Sequence, residues 1–97
     1  MTSPETIGQR IMRERLELSI TQRELAEKVS VGVPHISKIE AGRENPSDEL
    51  LARIASVLGL ETEELLLVAR RLPDDLIDAL ASDPKQALEF LRTFDRK

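Results

Sequence analysis

Apolar residues recur along this chain at the three- and four-residue spacing of an α-helix, and no alternation typical of a strand lasts more than a few residues. The broadest stripe begins after Ser47, a suitable N-cap, and stops at Gly59, a residue that readily takes the left-handed conformation. That stripe consists of Leu50, Leu51, Ile54, Ala55 and Leu58. The pattern predicts an all-α fold, with five helices up to residue 71 and two shorter helices after it.

The first and fifth helices are marked by signals at their ends. The first is predicted to open at Ser3 and Pro4, because a capping serine before a proline is typical of a helix start, and to end near Ser19. Its predicted inward face consists of Ile7, Ile11 and Leu18. The fifth is predicted to start near Thr62, with acidic residues at its positive end, and to run to the basic pair at residues 70–71.

Between them, the sequence predicts two short helices separated by a tight turn. Residues 21–24, Thr-Gln-Arg-Glu, fit a capping box in which the threonine and the glutamate bond each other's backbone N–H groups. That helix is expected to run to about Val29. Residues 30–32, Ser-Val-Gly, form the turn, and a third helix follows from Val33 to about Ala41. A helix pair with a short glycine-containing turn favours a helix-turn-helix, although helical hairpins are also common.

The third helix presents a small surface almost free of acidic residues when it is projected at about 100° per residue. Ile36 and Ile39 point inward. The outward face consists of Pro34 and Ala41, flanked by Ser37 and Lys38, with Val33 to one side. A front of such small residues can approach the bases of a DNA major groove, which is about 12 Å wide.

Glu40 is the exception on this helix, since it projects close to the buried face. An unpaired carboxylate there would be costly, so Glu40 needs a cationic partner. Arg15 on the first helix is the candidate for that ion pair.

Composition bounds the class of protein. The 97 residues suffice for one domain, or one domain with an appendage. The net charge of −4 at first argues against a nucleic-acid partner, but residues 9–43 carry seven Lys or Arg against five Glu, and most of the acidity follows them. The chain has no cysteine, no signal-peptide pattern and no apolar run long enough for a membrane, so a soluble cytoplasmic protein is expected.

His35, the only histidine, is the obvious candidate for chemistry. With no cysteine and no second histidine, a metal site would need several carboxylates to converge on it, and no spacing suggests that. Ser37, two positions away on a helix, does not face it, so no nucleophile–base pair is indicated. We therefore expect no metal, no cofactor and no enzyme activity, and a surface or phosphate-contacting role for His35.

Several residues of this region form a combined pattern. They are Thr21-Gln-x-Glu-Leu-Ala, Val31, Ile36-Ser-x-Ile-Glu40 and Gly42, followed by Asn45-Pro46. The pattern resembles the phage-repressor, or Xre-type, helix-turn-helix family, and residues 7–69 follow that family's five-helix order. The resemblance implies a repressor-like helix-turn-helix domain, to which we assign residues 1–71. The two predicted helices of residues 72–97 form a short C-terminal extension that the resemblance does not cover.

The resemblance also implies a function. It suggests a sequence-specific transcriptional regulator, foremost a dimeric repressor, that inserts residues 33–41 into the major groove of a palindromic double-stranded DNA operator. Such a regulator would be associated with the nucleoid. The family's structural ion pair falls on Arg15 and Glu40, the same pair that the projection indicates.

Individual DNA contacts are carried over in the same way. The residues implied to face base edges are Val33, Pro34, Ser37 and Lys38. Those expected at phosphates are Gln22, Arg43 and Asn45 from the resemblance, together with Arg23 and His35 from their placement around the same face. Val33 and Pro34 cannot donate hydrogen bonds from their side chains, so contacts with thymine methyl groups and a larger share of DNA-shape readout are expected.

The tail has two open interpretations. Its apolar stripes are formed by Leu76, Ile77, Leu80, Leu88, Leu91 and Phe94. They either complete the core of the domain or form an interface, and a homodimer interface is the prediction. Alternatively the tail binds another protein, as in an antitoxin-type regulator that neutralises a toxin, or the chain is an interaction adaptor that keeps the fold without reading DNA.

Overall fold

The computed structural model describes the backbone of residues 4–95 and the side chains of residues 4–93, and all regular secondary structure within that range is α-helix. The seven helices are α1 (Ile7–Glu17), α2 (Gln22–Lys28), α3 (Val33–Glu40), α4 (Asp48–Leu58), α5 (Thr62–Val68), α6 (Asp74–Ser82) and α7 (Pro84–Asp95). The predicted all-α class, with five helices followed by two, is confirmed. None of the described helices is long and apolar enough to cross a membrane.

The predicted start of the first helix is wrong. Helix α1 begins at Ile7 after Thr6, whose hydroxyl accepts from the Gln9 backbone N–H while the Gln9 side chain accepts from the Thr6 N–H. This reciprocal cap satisfies two backbone donors at once. Ser3 itself lies outside the described residues. Leu18 was also misplaced: it is 50% exposed, because it follows the end of the helix and the chain turns away at Ser19.

One apolar core joins the first five helices. Its fully or almost fully buried members are Ile11, Leu25, Ala26, Val29, Ile36, Ile39, Leu50, Leu51, Ile54, Ala55, Leu58 and Leu65. Each buried leucine or isoleucine contributes about 1.5–3 kcal/mol relative to an exposed one, so the core is the main source of stability. The whole predicted stripe of α4 is part of it.

Five helix ends share one hydrogen-bonding pattern. After each of α1 to α5, a backbone N–H bonds to the carbonyl five residues earlier, at 2.8–3.0 Å. The residue just before each of these donors has a positive φ; they are Ser19, Ser30, Gly42, Gly59 and Arg70. This Schellman-type ending satisfies the free carbonyls and turns the chain sharply, so that short connections suffice between helices.

Gly8 sets the close approach of α1 to α3. A Cβ atom built on Gly8 would lie 2.3 Å from the Ile39 carbonyl oxygen and 2.8 Å from that of Glu40. Any side chain at this position would therefore force the two helices apart. The backbone of α3 is held directly against α1, which leaves the opposite face of α3 outward.

Candidate nucleic-acid interface

Helix α2 begins with the predicted capping box. The Thr21 hydroxyl accepts from the Glu24 N–H at 3.0 Å, and the Glu24 carboxylate accepts from the Thr21 N–H at 2.9 Å. The bond from the Thr21 backbone N–H is the main reason that the pKa of Glu24 is lowered. The start of α2 is thus fixed by interactions local in sequence.

The turn between α2 and α3 is short and rigid. Ser30 is left-handed, and the Val31 N–H bonds to the Ala26 carbonyl at 3.0 Å. Gly32 is the N-cap of α3, and Pro34 lies in the first turn, where a missing N–H breaks no helical bond. These features place α3 beside α2 with one side free.

Most of the predicted base-facing side chains lie on that free side. Pro34, Ser37 and Lys38 are exposed, as is Ala41, whereas Ile36 and Ile39 on the opposite side are 1% exposed. Val33 is only half-buried and packs against the core, so part of its side chain is unavailable to a ligand. The accessible front of α3 is small and lacks acidic residues.

Arg15 and Glu40 form a buried bidentate ion pair, as the helical projection of α3 predicts. Arg15 Nε lies 2.8 Å from Glu40 Oε2, and Arg15 Nη2 lies 2.9 Å from Oε1. The two residues are 7% and 8% exposed, and the bond to the carboxylate raises the pKa of Arg15. Arg15 also donates to the Ile20 carbonyl at 2.9 Å.

Gln22, the first residue of α2, extends this network toward the surface. Its side-chain Nε2 donates to Glu40 Oε1 at 3.0 Å, a contact that the sequence did not indicate. An amide group has two N–H donors, so one remains for another acceptor. The carboxylate of Glu40 therefore joins α1, α2 and α3 at the edge of the exposed face.

The cations of the chain divide into two groups. Arg10, Arg13, Arg53 and Arg71 pair with carboxylates of α1 or of the segment just before it, or of α4 and α5. Within the described part of the chain, four exposed cations around α2 and α3 make no ion pair or side-chain hydrogen bond; they are Arg23, Lys28, Lys38 and Arg43. Lys85 and Arg92 on α7 are also unpaired there. Cations without an intramolecular partner remain available for phosphates.

His35 does not stand free beside these cations. Its Nδ1 contacts the Glu44 carboxylate, which comes from the loop after α3. Asn45, next in that loop, is exposed, and the following Pro46 is fully buried. The sequence pattern did not reveal the contact between His35 and Glu44, because it depends on how the loop folds back along the helix.

The described residues contain no group of three or more histidine or acidic side chains placed to hold a metal ion.

In the tail, Leu76 is half-buried, and the other predicted apolar residues with described side chains are between 39% and 57% exposed. The Phe94 side chain lies outside the described residues. Phe90, which was not predicted, is 61% exposed and lines a groove of about 280 Å³ between α6 and α7.

Two short helices joined by a tight turn, with the second one packed at its back and exposed at its front, define a helix-turn-helix protein. The family model described as "Helix-turn-helix" matches residues 11–65, more than half of the chain. The chain belongs to this family, in its phage-repressor or Xre-type branch.

Three comparisons, one with a phage repressor and two with SinR, illustrate the similarity. The immunity repressor protein of Bacillus phage phi105 is 38% identical over 61 residues, which are 63% of this chain and 42% of that protein. SinR is a Bacillus subtilis protein whose crystal structure in complex with DNA is known. It is 39% identical to this chain and superposes with a TM-score of 0.59, over 63% of this chain and 98% of SinR in that structure. A complex of SinR with the SinI protein is 34% identical with a TM-score of 0.60, over 93% and 95% of the two chains. The chain thus spans less than half the length of the phage repressor that it matches.

Proposed function

We propose that this chain is a sequence-specific, DNA-binding transcriptional regulator, a dimeric repressor that inserts α3 into the major groove of a palindromic operator. The observation that carries the proposal is the set of unpaired cations around the small exposed face of α3, in a domain where Arg10, Arg13, Arg15, Arg53 and Arg71 are each paired with a carboxylate. Because phosphate contacts supply most of the affinity for DNA, cations must be free where the backbone approaches.

In this proposal each exposed side chain has a distinct role. Ser37 and Lys38 reach base edges as hydrogen-bond donors, and Pro34 with the exposed part of Val33 contacts thymine methyl groups. The residues that bind phosphates are Gln22, Arg23, Arg43 and Asn45. Two findings support this assignment of contacts: the chain belongs to a helix-turn-helix family, and it is similar to SinR in a complex with DNA.

The tail supplies the second half of the proposal. Residues 1–71 form the DNA-binding domain, and residues 72–97 bring two such domains together, as a two-half-site operator requires. In support, no described side chain between residues 74 and 93 is buried, although α7 and α6 carry apolar stripes. An interface consisting of Leu76, Ile77, Leu80, Leu88 and Leu91 would remove these half-buried or exposed side chains from water. Phe94 is assigned to the same interface from the sequence pattern.

The test is binding to DNA from the upstream region of the protein's own gene, against scrambled DNA of equal length, by fluorescence anisotropy over a salt series. We expect a preference for one site and an affinity that falls steeply as salt rises. Lys38→Ala should weaken operator binding at an unchanged melting temperature, whereas Lys85→Ala on α7 is the matched control. Equal binding by wild type and Lys38→Ala would remove Lys38 from the interface, and no DNA binding at low salt would overturn the proposal.

A second candidate is favoured by the same exposed tail. The tail could bind a different protein, as in an antitoxin-type regulator or an adaptor that does not read DNA, and the similarity to SinR in its complex with SinI extends over 93% of this chain. Sedimentation equilibrium separates the two. A concentration-dependent dimer that dissociates on Leu88→Lys supports self-association, whereas a monomer at all concentrations supports a heterologous partner.

A further inference from the structure

The contact between His35 and Glu44 closes the loop after α3 back onto the helix. His35 lies in the first turn of α3, and Glu44 lies four residues beyond its last residue. The reversal occurs at Gly42, where φ is 79°, and the Arg43 N–H bonds to the Lys38 carbonyl at 2.9 Å. The buried Pro46 then anchors the far end of the loop. Glu44 is therefore held at the side of α3 rather than left to move in solvent.

A carboxylate is unexpected at the position of Glu44, because its neighbours in the sequence are proposed to bind phosphates. Glu44 follows Arg43 and precedes Asn45, both proposed phosphate contacts, and its partner His35 is one helical turn from Lys38. The Glu44 side chain is 39% exposed, so its charge is only partly screened by water. Neither Lys38 nor Arg43 makes an ion pair within the described residues, so neither neutralises Glu44. A fixed negative charge therefore lies on the same flank as the cations that would bind the DNA backbone.

We propose that Glu44 is a negative determinant of DNA binding, an acidic side chain that repels the phosphate backbone and keeps affinity for DNA low unless α3 makes base contacts. The inference rests on the proposed function. DNA carries its phosphates whatever its sequence, so the repulsion acts on operator and non-specific DNA alike. The consequence is that the cations around α3 alone do not hold the protein on arbitrary DNA.

The contact between Glu44 and His35 also anchors the loop, and this effect must be separated from the repulsion between the Glu44 charge and phosphates. It fixes the loop that carries Arg43 and Asn45, so losing the contact would loosen two proposed phosphate contacts. Glu44→Gln removes the charge and leaves an amide oxygen that still accepts a bond from the imidazole. Glu44→Ala removes the charge and the bond together, so the two variants distinguish repulsion from loop anchoring.

The matched control is Glu63→Gln. Glu63 is exposed in the first turn of α5, which packs on α1 and α4, and it makes no ion pair within the described part of the chain. This variant changes net charge by the same amount at a place remote from α3. Melting temperatures of all variants show whether any of them perturbs folding.

The experiment measures binding of the full chain to operator and to scrambled DNA by fluorescence anisotropy at several salt concentrations and one fixed pH. We expect Glu44→Gln to bind both DNAs about fivefold more tightly than wild type, with a log–log salt slope steeper by about one, whereas Glu63→Gln stays near wild type.

Three results overturn the inference. Glu44→Gln binding as wild type, or Glu63→Gln strengthening binding equally, would show that the position of Glu44 does not matter. Weaker binding by Glu44→Gln, which keeps the bond to His35, would mean that the charge of Glu44 favours DNA binding rather than opposing it. These outcomes leave the proposed function standing as long as the wild-type protein prefers its operator. If wild type binds neither DNA, both the function and this inference fail.

Discussion

Replacing Arg15 by methionine tests whether its pair with Glu40 is a structural ion pair of the buried kind. Methionine keeps an apolar side chain of similar length and removes the guanidinium, so packing changes little. The change deletes two bonds to the carboxylate, of 2.8 and 2.9 Å, and one to the Ile20 carbonyl. Glu40, which is 8% exposed in the wild-type protein, then keeps one side-chain donor, Gln22.

The expected loss follows from that remaining contact. Removing one partner of a buried ion pair typically costs about 3–5 kcal/mol, because the other charge stays buried without a counter-charge. Since Gln22 still donates to the carboxylate, we expect the lower end, about 3 kcal/mol. Urea unfolding followed by far-ultraviolet circular dichroism should show a lower midpoint and an unchanged slope.

Two comparisons make this measurement decisive. Arg13→Met, two residues away on the same helix, removes an exposed pair with Glu5 and should cost much less. The combined change of Arg15 and Glu40 to methionine should recover most of the lost stability, since no charge is left buried. If Arg15→Met costs no more than Arg13→Met, the reasoning about a buried charge is refuted. If the double variant fails to recover, the loss comes from packing.

Three further changes probe the framework around the site. Gly8→Ala should destabilise the fold by about 2 kcal/mol in urea unfolding, despite the better helix propensity of alanine, because the new Cβ would lie 2.3 Å from the Ile39 carbonyl oxygen; a more stable variant would contradict this. Ser30→Gly should raise stability by about 0.5 kcal/mol, since its φ of 62° strains a residue with a Cβ, and a lower unfolding midpoint would argue against strain there. The lowered pKa of Glu24, due chiefly to its bond with the Thr21 N–H, means that its stabilisation is present above the ordinary pKa of 4.5 and is lost as the pH falls through the lowered pKa. Glu24→Gln should therefore flatten the acid side of the stability–pH curve, and an identical curve would exclude this group as a cause.

Features of the fold that depend on neighbouring residues were predictable from the sequence. The capping box of α2 and the stop of α4 at Gly59 involve residues within one turn of each other, so spacing alone identifies them. The predicted start of α1 was wrong because two capping signals, at residues 3–4 and 6–9, lie within a few residues of each other. Deciding between them requires knowing which one forms both reciprocal bonds.

The site was predictable only where residues project from a single helix. The exposed face of α3 follows from its periodicity, and Arg15 could be matched to Glu40 because a buried carboxylate requires a cation. Gly8 reads in the sequence as a helix-weakening residue, and its tight contact exists only once α1 crosses α3 at close range. The contact between His35 and Glu44 likewise depends on the path of a loop, which periodicity does not describe.

The network around Glu40 also links the core to DNA binding, and this gives a last prediction. Gln22 has one amide N–H bonded to Glu40, and Glu40 is itself fixed by Arg15, so the proposed phosphate contact of Gln22 is positioned from inside the protein. Arg15→Met, assayed at a temperature where it is fully folded, should bind operator more weakly, because Gln22 then bonds to a carboxylate that Arg15 no longer holds in place. The salt slope should stay that of wild type, since a neutral amide displaces no counterion, whereas Lys38→Ala should reduce it. A reduced slope in Arg15→Met would mean that the buried pair positions a cation instead, and unchanged affinity would confine the pair to stability.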